Sequence, residues 1–130
     1  MPITILGTDG NPFNGRPGDV DATPNGVIYV MGQLKFTGNY TTAIGGDLLD
    51  FTTLNDWVPG SAIRQVAVWS QAGNLLFQYT PNGNLATALN AWRVKLSASA
   101  TFGTELATGA YPAAVLADIV AFTAVYNKLL

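Results

Sequence analysis

Two groups of acidic residues are the first places where this chain could do chemistry. Asp47 and Asp50 stand close in sequence and are a candidate carboxylate pair for glycoside hydrolysis. The only glutamate is Glu105 and no other acid lies beside them, so solvated strand ends explain the two aspartates better. Asp19, Asp21 and Asn25, with Asp9, Asn11 and Asn14 upstream, offer oxygens of the kind that hold calcium. Their spacing departs from the EF-hand pattern, because Thr23 and Pro24 stand where an Asn/Asp and a Gly belong. Turn formers in a loop account for them equally well. The aromatic residues form a third group. Trp57, Trp69 and Trp92, with Tyr29, Tyr40, Tyr79, Tyr111 and Tyr126, could supply a face on which sugars stack. Trp92 alternates with Val94 and Leu96 and reads as core. Trp57 lies between Asn55-Asp56 and Val58-Pro59-Gly60, a loop, and is the one tryptophan expected at the surface. A subunit contact explains it as readily as a ligand. Gly45-Gly46-Asp47 lacks the GxxxxGK context of a phosphate loop and reads as a turn into a strand.

The chain has no histidine and no cysteine. That removes Ser-His-Asp and Cys-His nucleophile pairs, imidazole acid–base catalysis and His/Cys zinc sites, and no cofactor is expected. Six basic and eight acidic residues, 11% of the 130, leave a net charge of −2. Typical chains are about 25% charged. On a folded surface of roughly 6,600 Å² this is about one charge per 470 Å². With 48% apolar residues, part of that surface is expected to be covered by other protein. The basic residues are scattered, which gives no footprint for nucleic acid. The longest apolar stretch, Ala110 to Tyr126, contains Pro112, Asp118 and Thr123 and falls short of a membrane span. The N-terminus has no basic region or apolar stretch of signal-peptide type, so synthesis and folding in a cytoplasm are expected.

These residues need elements to hold them, and residues 1–26 differ from the rest. They contain four of the seven prolines, five of the 14 glycines and three of the acids. After Ile3-Thr4-Ile5-Leu6 no apolar period recurs until Val27, so the segment is either a loose tail or an extended arm ordered against a neighbour. The arm is the leading expectation, because Ile5, Leu6 and Phe13 are costly to leave in water. From Val27 the period is that of strands. Val27–Thr37 places Ile28, Val30, Leu34 and Phe36 on one face and Gln33, Lys35 and Thr37 on the other. Leu48–Thr52 follows Gly45-Gly46. Ile63–Ser70 and Leu75–Thr80 are joined through Gln71-Ala72-Gly73-Asn74 in a hairpin-like connection. Ile119–Lys128, with Val125, is apolar on both faces and should be a central or interface strand. Thr53–Asp56 and Pro112–Ala117 are short helix candidates, the second with proline at its first position. The sum is an all-β domain over 27–130, a jelly roll or β-sandwich of about seven or eight strands.

Several stretches resemble the capsid decoration (cement) proteins of tailed bacteriophages. They are Phe36-Thr37-Gly38-Asn39-Tyr40-Thr41-Thr42, Gly45-Gly46-Asp47-Leu48-Leu49-Asp50-Phe51, and most clearly Gly103-Thr104-Glu105-Leu106-Ala107-Thr108-Gly109-Ala110-Tyr111-Pro112-Ala113-Ala114-Val115 followed by Asp118–Lys128. The resemblance covers Val27 to Leu130, and residues 1–26 are particular to this chain. It implies a β-barrel or jelly-roll protein, often trimeric, on the capsid exterior, where it reinforces the shell over junctions of the major capsid protein.

The leading expectation is therefore a non-enzymatic virion protein with the major capsid protein and its own copies, as a homotrimer, for partners. Ile5, Leu6, Phe13, Trp57 and Val125 are the candidate interface residues. The rival expectation is a carbohydrate-binding module or tail-associated adhesin that uses exposed aromatics.

Overall fold

Alternation of apolar and polar residues builds ten strands among the residues described by the computed structural model, which are 3–24, 26–41, 45–58, 60–72, 76–83, 88–101 and 104–128. The strands are β1 (Ile3–Leu6), β2 (Val20–Ala22), β3 (Val27–Phe36), β4 (Asn39–Tyr40), β5 (Asp47–Leu49), β6 (Gly60–Ser70), β7 (Phe77–Asn82), β8 (Trp92–Ala98), β9 (Gly109–Ala110) and β10 (Val120–Lys128). One α-helical turn, α1 (Ala113–Leu116), precedes β10, entered through Pro112. The chain is all-β, and among the described residues the strands pair antiparallel.

The largest sheet has β10 at its centre, between β3 and β6. Ile28, Val30, Leu34 and Phe36 of β3 point inward, as do Val120, Phe122, Ala124 and Tyr126 of β10 and Ile63, Val66 and Val68 of β6. A second sheet, ordered β5-β8-β7, contributes Leu49, Val94, Leu96 and Tyr79 to the same cluster. A short β4-β9 pair adds Tyr40. Rings lock the layers: Phe36 stacks on Tyr79 with centroids 5.7 Å apart, and Phe51 meets Phe122 and Tyr126 at 6.0 Å. The arrangement is sandwich-like.

The expected extended arm is instead part of the sheet. β1 and β2 pair one after the other along the edge of β3 that β10 leaves free, Ile3 opposite Phe36 and Asp21 opposite Tyr29. Ile3 is buried, and Phe13 folds back into the core. The loop between β1 and β2 has no apolar period because polar groups hold it. Asp19 is fully buried and accepts from the Thr8 N–H at 3.2 Å and its hydroxyl at 2.5 Å. Arg16 bridges Asp9 at 2.9 Å and Asp19 at 3.4 Å. Such tertiary bonds offset the ordering entropy that composition alone assigns to the segment.

Two other expectations change. The strand begun at β5 stops after Leu49, because Asp50 accepts a hydrogen bond from the Thr52 N–H at 3.0 Å and caps a 3-10 turn over Phe51–Leu54. β6 and β7 do not form a hairpin: β6 pairs with β10 and β7 with β8, so the connection passes from one sheet to the other. Gly73, Asn74 and Leu75 of that connection lie outside the described residues. The turn into β5 is confirmed at Gly46. Its φ is +98°, and a Cβ there would lie 2.2 Å from the Val94 carbonyl oxygen.

Candidate interaction surface

The alternation that fills the core also defines what the large sheet shows to solvent. Residues directly opposite each other across antiparallel strands share a face, so the outer face reads in rows. Asp21, Tyr29, Val125 and Gln65 form one row across β2, β3, β10 and β6. Met31, Thr123 and Ala67 form the next, and Leu6, Gln33, Ala121 and Trp69 the one after. Tyr29 is 41% exposed, Met31 37% and Trp69 44%. Ile119, just before β10, is exposed as well. None of the β3, β10 and β6 residues in these three rows carries a charge.

The pairing of β6 with β10 shifts by one residue between Val125 and Tyr126. Tyr126 opposes Ile63 and Val125 opposes Gln65, which leaves Arg64 as the extra residue of a β-bulge. Ile63 and Val66 are buried while Arg64 and Gln65 are exposed, so the bulge turns both toward solvent. A cation thus joins the row that starts at Asp21. Neither Asp21 nor Arg64 has an ion-pair partner among the described residues.

Uncharged positions, exposed Tyr and Met on β3, an exposed Trp on the edge strand β6 and charges at the rim match the composition of a protein contact surface. No family model, curated protein or solved structure matches the chain.

The candidate interface residues fall in three places. Leu6 and Val125 belong to the outer face, each half-buried. Phe13 is core, and Ile5 is half-buried against it, so neither waits in an arm for a neighbour. Trp57 is 40% exposed on a separate apolar patch, edge-on to Phe13 at 6.0 Å. It packs over Gly15, where the absence of a side chain (at φ +69°) gives the indole room. Trp57 is the one tryptophan whose sequence context places it outside, yet Trp69 is equally exposed. Its position one residue after the buried Val66 and Val68 register, on the opposite parity, is the signal that finds it. The same parity in β3 puts Tyr29 and Met31 with Gln33 and Lys35.

The acidic groups serve local structure. Asp47 is not a solvated strand end: it is buried and accepts a hydrogen bond from the Tyr111 hydroxyl. Asp50 caps the 3-10 turn, so the two carboxylates act in different places. Asp19 is the buried anchor of the first loop and Asp21 an exposed rim residue; Asn25 lies outside the described residues. Among the described residues no group of three or more Asp and Glu is placed to hold a metal ion. No helix there is long and apolar enough to cross a membrane.

The tyrosines carry the strongest electrostatic perturbations. Burial pushes Tyr40 up to about 12, although the Leu96 N–H donated to its oxygen at 3.0 Å pulls the other way. Burial also raises Tyr111, with Asp47 beside it adding to the effect, and Tyr79, whose hydroxyl donates to Asp118 at 2.9 Å. Each phenol stays protonated and acts as a fixed donor inside the fold.

Proposed function

We propose that this chain is a structural assembly protein, a capsid decoration protein that reinforces a phage head from outside without performing chemistry. The observation that carries the reading is the outer sheet face, where Tyr29, Met31 and Trp69 stand exposed among uncharged neighbours. Exposing such a patch is costly for a solitary protein, and burying it against protein recovers that cost. The Trp57 patch supplies a second, separate contact, here assigned to the major capsid protein. Binding the assembled shell and not its free subunits stabilises the assembled state by linkage. Repetition of the site over the shell, and any self-association, multiplies the effect. The jelly-roll topology and virion location implied by the resemblance belong to this proposal.

The test uses heads made with and without the protein. Heads lacking it should assemble yet break at lower temperature, and adding back the purified chain should restore them. Equal stability in both states would remove the decoration role.

One observation favours a second reading. Trp57 and Trp69 are both about two-fifths exposed, as a glycan-stacking adhesin requires. Trp57→Ala separates the two. As a capsid anchor its loss weakens shell binding by about thirtyfold or more with the fold intact. In an adhesin it abolishes glycan binding and leaves shell binding alone.

A further inference from the structure

We propose that the outer face of the five-stranded sheet is a twofold contact between two copies of this chain, with Asp21 of each copy meeting Arg64 of the other. The inference rests on the assembly reading above and names the partner for this face.

Two charges share one row of this face. Asp21 lies on β2 at one edge of the sheet and Arg64 on β6 at the other, with Tyr29 and Val125 between them. Three strand spacings separate the edges, roughly 14 Å. A twofold axis parallel to the strands, between two stacked sheets, exchanges left and right and keeps each row at its own height. β6 of one copy then covers β2 and β1 of the other, and β3 covers β10. Asp21 falls over the partner's Arg64, twice by symmetry, and Trp69 falls over the partner's Leu6 in the same way. An axis across the strands instead inverts the rows and leaves both charges unmatched. The rim charges therefore select one orientation.

The face is small. Four strands at about 4.8 Å and three rows at about 6.6 Å give roughly 380 Å² per copy, or about 760 Å² for the pair. That is the size of a weak, reversible contact, so the dimer should be of modest affinity and the paired charges, more than the area, select its geometry. The resemblance implies three copies, whereas this face is complementary to itself about a twofold axis.

Sedimentation velocity on the purified full chain at tens of micromolar tests the proposal. Wild type should run as a dimer, twice the 13.7 kDa of the chain. Asp21→Arg and Arg64→Asp each bring like charges together at both ends of the contact and should weaken it about tenfold or more. Both sites are exposed, so circular dichroism should stay as in wild type, and melting should fall only by what the lost dimer contributed. An equimolar mixture of the two variants should dimerise again, because each opposite charge is then regained at both ends. Met31→Glu, which places a carboxylate at the middle of the face, should disperse the dimer alone and when mixed with either charge variant.

A monomeric wild type at these concentrations overturns the proposal, as does a mixture that fails to recover. A trimer overturns it too. Loss of shell binding by Met31→Glu in a chain that is always monomeric would assign the face to the capsid protein instead. Each of these leaves the decoration reading to be decided on heads, where it is measured.

Discussion

Replacing Phe13 by alanine tests whether the first 26 residues belong to the fold. Phe13 is 5% exposed and sits in the same cluster as Ile3, Ile28 and Tyr126, with Trp57 edge-on at 6.0 Å. Truncating a buried phenylalanine costs about 3–5 kcal/mol when the cavity stays empty. Here a groove lined by Ile5, Pro12, Thr53 and Trp57 opens beside the ring. Water and the indole can partly fill the space, which puts the expected loss at the lower end, about 3 kcal/mol. For a domain of this size that is a fall in Tm of roughly 10–15 °C. Urea unfolding followed by circular dichroism is the assay, and at an m of about 2 kcal/mol/M the midpoint should drop by about 1.5 M with m unchanged. Asn14→Ala, one residue away and exposed, should move it little. A loss below about 1 kcal/mol for Phe13→Ala would mean that the ring leaves the core at no cost. Residues 1–26 would then be a detachable arm after all.

Three other outcomes follow from the geometry. Gly46→Ala meets both a positive φ and the Val94 carbonyl 2.2 Å away, so it should destabilise by about 2 kcal/mol or more, read as a lower urea midpoint. Asp118 accepts from Ser70 Oγ at 2.7 Å and from the Tyr79 hydroxyl at 2.9 Å; Asp118→Ala orphans that buried hydroxyl and should cost about 1–3 kcal/mol, with much of the loss absent in Asp118→Ala/Tyr79→Phe. Burial raises the phenol pKa of Tyr40, Tyr79, Tyr111 and Tyr126 above the ordinary 10.0, so the folded state keeps protons that the unfolded chain releases. Their contribution is intact below pH 10 and is lost as pH rises toward 12 and beyond; a midpoint that stays flat from pH 9 to 12 would contradict the burial.

The long strands were legible because their pattern is local. In β3 and β10 each inward residue is apolar, and no other period fits Ile28, Val30, Leu34 and Phe36. The residues on the outer face were legible by the same parity, although Trp69 was not read that way. What stayed hidden depends on partners far along the chain. β1 and β2 are too short to declare themselves and form because one edge of β3 is open to them. Asp47 is buried because Tyr111, 64 residues on, donates to it. Asp50 before Phe51-Thr52 carried a capping signal, masked because Leu49 and Phe51 on either side of it read as a continuing strand. The bulge at Arg64 left no mark, since two successive outward residues look like any break in alternation.

The position of β10 governs the order in which the molecule can be made. It is the tenth strand in chain order, yet it lies between β3 and β6 and supplies the hydrogen-bonding partner for both. During synthesis β3 and β6 emerge first, each with an edge that nothing before residue 120 can satisfy. Closure of the large sheet must wait until the last strand arrives, and then one segment joins both halves at once. Such distant pairing makes folding slow and cooperative and leaves two adhesive edges open in the interval. A ribosome that stalls before residue 120 would release a chain ready to pair with the wrong strand, and a free peptide spanning 118–130 would be its natural antidote.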